Sequence, residues 1–248
     1  MTGTYRENLR ALAHAQKGAA RSAPAYSRFV NRRLGRLLAA GAVRAGLTPN
    51  QVTGVSALFT FTAIALLVIC APVWWLGLVV GVALVLGYAF DSADGQVARL
   101  TKTGGPAGEW LDHVVDAVKV VTLPLAVLVA WYRFGTGPTW WLVVALVHTV
   151  VSSVLFFAMI LTEQLRRSRG VVSTASTSGR APWLRSVLVV PTDYGLLCVW
   201  FFTWGAPVVF GVGYILVVTA TTLFLAAALV RWFAEMRTLP QAATKEDP

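Results

Sequence analysis

The chain has 248 residues, of which 56% are hydrophobic and only 13% charged, and its mean hydropathy is +0.66. Soluble domains carry about 25% charged residues, so this composition excludes an ordinary soluble globule and points to an integral membrane protein. The formal charge of +10 reads as loop charge that sets membrane topology, and it gives no ground for a nucleic-acid partner.

Residues 1–24 contain Arg6, Arg10, Lys17 and Arg21 but no apolar core of a signal peptide, and they read as a flexible basic segment. Residues 25–47 alternate apolar and basic positions at helical spacing. Phe29, Val30, Leu34, Leu37 and Leu38 share one face, while Arg28, Arg32, Arg33 and Arg36 share the other. That pattern predicts an amphipathic helix lying in the membrane interface, its arginines reaching anionic headgroups.

Six apolar stretches follow, at about 52–71, 73–100, 107–133, 139–165, 187–205 and 208–232, each near the ~20 residues a bilayer requires. Thr48 is placed to cap the first, with Pro49 at its first helical position. Pro72, the Gly104-Gly105-Pro106 run, the Gly135-to-Pro138 run and the Gly205-to-Pro207 run punctuate the others. The predicted fold is all-α and integral to the membrane: an amino-terminal amphipathic helix, a six-helix transmembrane domain over 48–233, and a tail over 234–248. Placing both termini in the cytoplasm puts 19 of the 21 Lys and Arg residues on that side, leaving Arg133 outside and Lys119 within the third span. Trp74, Trp75, Trp131, Trp140, Trp141 and Trp204 fall near the opposite boundary, as an aromatic belt would. Cys70 and Cys198 show no metal-ligand spacing and no disulfide framework; they read as packing residues, as do His148 and Met159.

Five of the eleven acidic residues (Asp91, Asp94, Glu109, Asp112 and Asp116) crowd the junction of the second and third spans. Carboxylates at a membrane edge are costly, so such a cluster reads as a functional site. Asp91 and Asp94 are three apart at the end of one helix; Asp112 and Asp116 are four apart at the start of the next. Each pair shares a helix face. Carboxylates brought face to face repel unless cations lie between them. Mg²⁺ or Mn²⁺ suits an all-oxygen site, and two ions held this way support phosphoryl transfer. Gly95, Ala98 and Gly108 fall on the same faces and leave clearance, and Arg99 supplies a cation for a phosphate oxygen. The combination implies a diphosphate substrate.

The run Asp91-x₂-Asp94-Gly95-x₂-Ala98-Arg99-x₈-Gly108-x₃-Asp112-x₃-Asp116 resembles, at every specified position, the signature of the CDP-alcohol phosphotransferase family. The resemblance implies a homodimeric multi-pass enzyme of the cell membrane, active in phospholipid synthesis with its site on the cytoplasmic side. It implies cleavage of a CDP-linked donor, release of CMP and transfer of the phosphoryl group to a hydroxyl acceptor. By that likeness Asp91, Asp94 and Asp112 are metal ligands and Asp116 is a ligand and a general base. Gly95, Ala98, Arg99 and Gly108 line the CDP site. CDP-diacylglycerol is the expected donor and a polar alcohol or alcohol phosphate the expected acceptor. The alternative within the family transfers a CDP-linked polar headgroup to a lipid hydroxyl. A divalent-cation transporter using the same carboxylates is the alternative of another class.

Several residues keep two readings. The Glu109-Trp110-Leu111-Asp112-His113 run resembles the choline/ethanolamine phosphotransferase branch, which makes His113 a second candidate base. Lys119, one turn beyond Asp116, either binds the acceptor's anionic group or neutralises the carboxylates. Asn50 and Thr53 either face the nucleotide or serve helix capping and packing. Arg166, Arg167 and Arg169 are only a partial likeness to the basic stretch of the inositol-phosphate-using branch. Asp193, an acid within a span, needs a partner. The 170–181 stretch reads as a polar loop beside the site.

Overall fold

The computed structural model describes residues 4–15, 25–171 and 193–240, and among these there are helices and no strands. Five helices are long and apolar enough to cross a bilayer: α3 (Pro49–Ile69), α4 (Trp74–Thr101), α5 (Pro106–Phe134), α6 (Trp141–Ser168) and α8 (Pro207–Thr238). Each coincides with a stretch predicted to span. Of the remaining stretch, 187–205, residues up to 192 lie outside the described ones. What is seen there is a short apolar helix α7 (Tyr194–Trp200) continued by a 3₁₀ turn at Phe201–Thr203.

Among the described residues, two helices precede the first span, α1 (Tyr5–Ala15) and α2 (Arg32–Arg44), the latter entered through a π-helical turn at Ser27–Asn31. Within the first segment, α1 packs on α2 with Leu12 buried. The helical face of 25–47 that meets the bundle is a third one. Phe29, Val30 and Leu37 are exposed, and the side turned to the bundle is Asn31, Gly35, Ala39, Ala40 and Val43. Small residues win that side because α2 approaches α4 closely: a Cβ on Gly35 would stand 2.8 Å from Ser92 Oγ.

Local chemistry accounts for the helix ends around the site. Thr48 and Gln51 form the reciprocal capping box that starts α3, with Pro49 at the first position. At the end of α4, Lys102 takes the left-handed conformation (φ 56°) and its N–H reaches Ala98 O. Gly105 then gives the extended residue before Pro106 opens α5. Pro124 inside α5 cannot donate to Val120 O, and the Ser152 hydroxyl of α6 donates there instead, at 2.9 Å. One helix's defect thus becomes a contact between two.

Helix α3 packs against both α4 and α5, α5 against α6, and α6 against α8. Bilayer lipid is as apolar as the side chains, so close packing of small residues must hold such a bundle. Gly87 of α4 lies against Ser56 and Thr60 of α3, and Gly77 and Gly81 lie against the Phe201–Trp204 turn. At the end of the bundle away from the acidic residues, Trp131, Trp141, Phe201, Trp204, Phe210 and Tyr214 form one aromatic core. This corrects the belt assignment. Trp74, Trp75 and Trp140 are exposed as a belt requires, but Trp131 is 4%, Trp141 5% and Trp204 2% exposed. His148 is buried with its Nδ1 2.6 Å from the Tyr214 hydroxyl, whereas Met159 is exposed rather than packed.

Candidate active site

Asp91 of α4 meets Asp112 and Asp116 of α5, and α3 packs against both helices. Asp91, Asp112 and Asp116 each offer an oxygen, and the three oxygens lie within 4.8 Å of one another. The donor set is entirely carboxylate oxygen, which fits a hard divalent cation of the Mg²⁺ or Mn²⁺ kind. Asp94 stands apart from that group. Its Oδ2 accepts the Thr53 hydroxyl at 2.6 Å and its Oδ1 accepts the Gly95 N–H at 2.5 Å.

Lys119 is the buried cation of the site, 4% exposed in the middle of α5. Its ammonium lies 2.5 Å from Asp91 Oδ1, 3.0 Å from Asp116 Oδ1 and 3.1 Å from Ser56 Oγ. Ser56 in turn donates to Gly87 O at 2.8 Å. The ammonium thus lies against two of the carboxylates. Ser56 was not singled out by sequence, although it lies one turn beyond Thr53 on the same helix face.

A cavity of about 980 Å³ opens beside these groups. Its wall includes Asn50, Thr53, Asp94, Gly95, Ala98, Arg99, Gly108, Glu109 and Asp112. Every predicted substrate-binding residue except Lys119 is therefore on one surface. Asp91 and Asp116, each one turn farther into the bundle, are not part of that wall. Gly108 matters by what it omits: a Cβ there would stand 3.3 Å from Asn50 Oδ1.

His113 is half-buried and looser. Its nitrogens are 3.8 Å from Glu109 Oε1 and 3.9 Å from Asp112 Oδ2, beyond hydrogen-bond range, and its ring edge meets Phe156 of α6. Glu109 is held instead by Arg167 Nη1 at 2.6 Å, and Arg167 also reaches Glu163. Arg166 forks onto Glu235 of α8 through Nε at 2.7 Å and Nη2 at 2.6 Å. Helix α8 thus runs past the predicted end of its span, to Thr238, and is tied to α6. Asp193 finds its partners in the backbone: it accepts from Ser27 N and Gly195 N, each at 3.0 Å, and so caps α7. The basic residues Arg180 and Arg185, and all but the first two residues of the 170–181 loop, lie outside the described residues.

The model of the CDP-alcohol phosphatidyltransferase family matches residues 46–238, which takes in α3 to α8 and every site residue above. The chain belongs to the CDP-alcohol phosphatidyltransferase family. It is similar to cholinephosphotransferase 1 of Xenopus laevis, with 32% identity over 100 residues, 38% of this chain and 25% of that protein. Against cholinephosphotransferase 1 of Rattus norvegicus the identity is 28% over 151 residues, 54% of this chain and 38% of the relative. Ethanolaminephosphotransferase 1 of Mus musculus gives 33% over 98 residues, 40% of this chain and 23% of the relative. The match thus spans well under half of each relative's length. Membership of a transferase family tells against the cation-transporter alternative.

Proposed function

We propose that this chain is a metal-dependent CDP-alcohol phosphotransferase of phospholipid synthesis, which releases CMP and joins the donor's phosphoryl group to a hydroxyl. The observation that carries the reading is the placement of the Asp91, Asp112 and Asp116 oxygens beside a cavity whose wall holds Arg99. The diphosphate of the donor needs both a cation site and a fixed positive side chain, and the nucleotide needs the clearance left by Gly95, Ala98 and Gly108.

Asp91, Asp112 and Asp116 would hold Mg²⁺ or Mn²⁺, with Asp94 at the cavity edge. Such an ion, when bound, offsets charge on the phosphoryl oxygens and on the departing CMP. Arg99 orients a phosphate of the donor. Asn50 and Thr53 face the nucleotide side. The acceptor oxygen attacks phosphorus, the phosphorus–oxygen bond to CMP breaks, and CMP leaves with the bonding pair. The acceptor's proton passes to Asp116, which sits at the cluster. His113, directed toward Phe156, is the lesser candidate base.

The donor is CDP-diacylglycerol in this reading and the acceptor a polar alcohol or alcohol phosphate, in line with the family's description as phosphatidyltransferases. A second reading has specific support. The Glu109–His113 run and the named activities of the choline- and ethanolaminephosphotransferases favour transfer of a CDP-linked headgroup to a lipid hydroxyl. The charge asymmetry supports a cytoplasmic site and cytoplasmic termini, and the family likeness a homodimer. The test is a CMP-release assay on purified protein with Mg²⁺. One arm offers CDP-diacylglycerol with glycerol 3-phosphate, inositol, inositol 1-phosphate, serine or phosphatidylglycerol. The other offers CDP-choline or CDP-ethanolamine with diacylglycerol. The lipid product separates the two readings, and metal flux without CMP release in either arm would sink both.

A further inference from the structure

Helix α2 carries arginines beside its contact with the bundle. A Cβ on Gly35 would meet Ser92 and Gln96 of α4, and the Asn31 amide donates to Tyr88 O at 3.1 Å. Arg32 and Arg36 are one turn apart and flank that contact, and Val43, two turns beyond Arg36, falls in line with them. Val43 belongs to the wall of the cavity that also holds Arg99. The stripe on α2 therefore leads along α4 to the mouth of the candidate active site.

The positive groups along this line lie close together. Arg99 Nη1 is 3.4 Å from where a Cβ on Gly95 would stand, so its guanidinium folds back one turn along α4. Arg32 is half-buried. Burial first, then the charge of Arg99 and that of Arg28, hold its guanidinium below the usual arginine range. Arg36 keeps a buried Nε with no hydrogen-bond partner. Among the described residues, no carboxylate stands in ion-pair range of Arg36 or Arg99. Gathered like charges repel, and a buried donor without an acceptor costs stability. Both costs fall when an anion with several oxygens lies among the guanidinium groups. A phosphate is such an anion, because its tetrahedral oxygens accept forked bonds from more than one arginine.

We propose that Arg32 and Arg36 of α2 form, with Arg99 of α4, a phosphate-binding site at the mouth of the cavity. This rests on the proposed function and adds to it two side chains from outside the Asp91–Asp116 stretch. The phosphate has two possible sources. One is the donor, whose diphosphate offers a second group beside the one that Arg99 orients. The other is an anionic membrane lipid, since Phe29, Val30 and Leu37 are exposed on α2 and suit the headgroup layer.

The test separates the sources. The full chain is placed in phosphatidylcholine nanodiscs with Mg²⁺, and binding of CDP and of CMP is measured by calorimetry. CDP carries the second phosphate that CMP lacks. If the donor fills the site, Arg32→Gln and Arg36→Gln each weaken CDP binding about tenfold, roughly one charge-assisted hydrogen bond, and leave CMP binding unchanged. Lysine keeps the charge without the fork, so Arg32→Lys and Arg36→Lys lose less. They serve as the readout if a glutamine variant does not fold. Arg33→Gln, on the exposed side of α2, changes neither ligand. In a second arm the nanodiscs contain phosphatidic acid, and native mass spectrometry counts the lipid retained. If a lipid fills the site, CDP binding is unchanged, and phosphatidic acid held by the wild type and Arg33→Gln is lost from the other variants. Variants that match the wild type in both arms, or that lose CDP and CMP equally, would overturn the site. In that case CMP release by the wild-type preparation leaves the proposed function intact. No CMP release and no CDP binding by the wild type would overturn both.

Discussion

Thr53 of α3 donates its hydroxyl proton to Asp94 of α4 across 2.6 Å, and this bond joins two spanning helices at the edge of the cavity. It ties Asp94 to α3. Removing the donor leaves a buried acceptor short of a partner, at a cost of about 1–3 kcal/mol. Thr53→Val should lower the melting temperature in detergent and cut CMP release about tenfold, a barrier change of ~1.4 kcal/mol. Thr53→Ser should restore both, because the hydroxyl is what matters. Wild-type behaviour in Thr53→Val would show that Asp94 needs no anchor.

The clearance at Gly108 makes a kinetic prediction opposite in sign to its stability effect. Alanine is the better helix former by roughly 0.5–1 kcal/mol, so Gly108→Ala should fold at least as well as the wild type. Its methyl would sit 3.3 Å from Asn50 Oδ1, on the cavity wall. The KM for the CDP-linked donor should rise about tenfold, ~1.4 kcal/mol of binding, with a smaller change in kcat. Steady-state kinetics over a donor series will show it, and an unchanged KM would remove Gly108 from the nucleotide site.

Asp116 and His113 can be separated by paired variants. A positioned general base contributes about 10²–10⁴ in rate. Asp116→Asn should lose CMP release by that order, whereas His113→Gln should retain it within about tenfold. The reverse pattern would transfer the proton to His113 and strengthen the headgroup-transfer reading. Thermal unfolding of both variants is needed alongside, because Asp116 also holds Lys119.

Removal of metal should be reversible. Chelation should abolish CMP release, and Mg²⁺ or Mn²⁺ should restore it, because the three clustered aspartates offer only oxygen ligands. Activity that persists after exhaustive chelation, verified by elemental analysis, would refute the metal dependence.

The tryptophans predict two classes of stability effect. Trp131 is at the centre of the aromatic core, 5.1 Å from the Trp141 ring and 5.3 Å from that of Tyr214. Trp131→Ala should cost ~3–5 kcal/mol. Trp74 is 75% exposed, and Trp74→Ala should change thermal stability by no more than about 0.5 kcal/mol. Equal losses would mean that the belt and core assignments are wrong.

Legibility varied with the range of the interaction. The ends of α3 to α6 could be read from Thr48-Pro49, Gly104-Gly105-Pro106 and the hydropathy runs, because capping and apolar length are local properties. The tryptophans could not be sorted, since a ring near a span end packs inward or outward according to the helices beside it. The face of α2 that meets the bundle was hidden for a similar reason. Periodicity shows which residues are apolar, but the close approach to Ser92 selected Gly35 and alanines over Phe29 and Leu37.

By itself the sequence determined the membrane class, the principal spans and the set of acidic, glycine and arginine residues at the site, because composition and helical spacing act along one chain segment. Only the tertiary structure decided how those residues divide. It tied Asp94 to Thr53, gave Asp91 and Asp116 to Lys119, and turned His113 toward Phe156. The physical reason is that a buried charge or donor must find its partner across helices, and the partner depends on which helix lies nearest. Spacing cannot supply that.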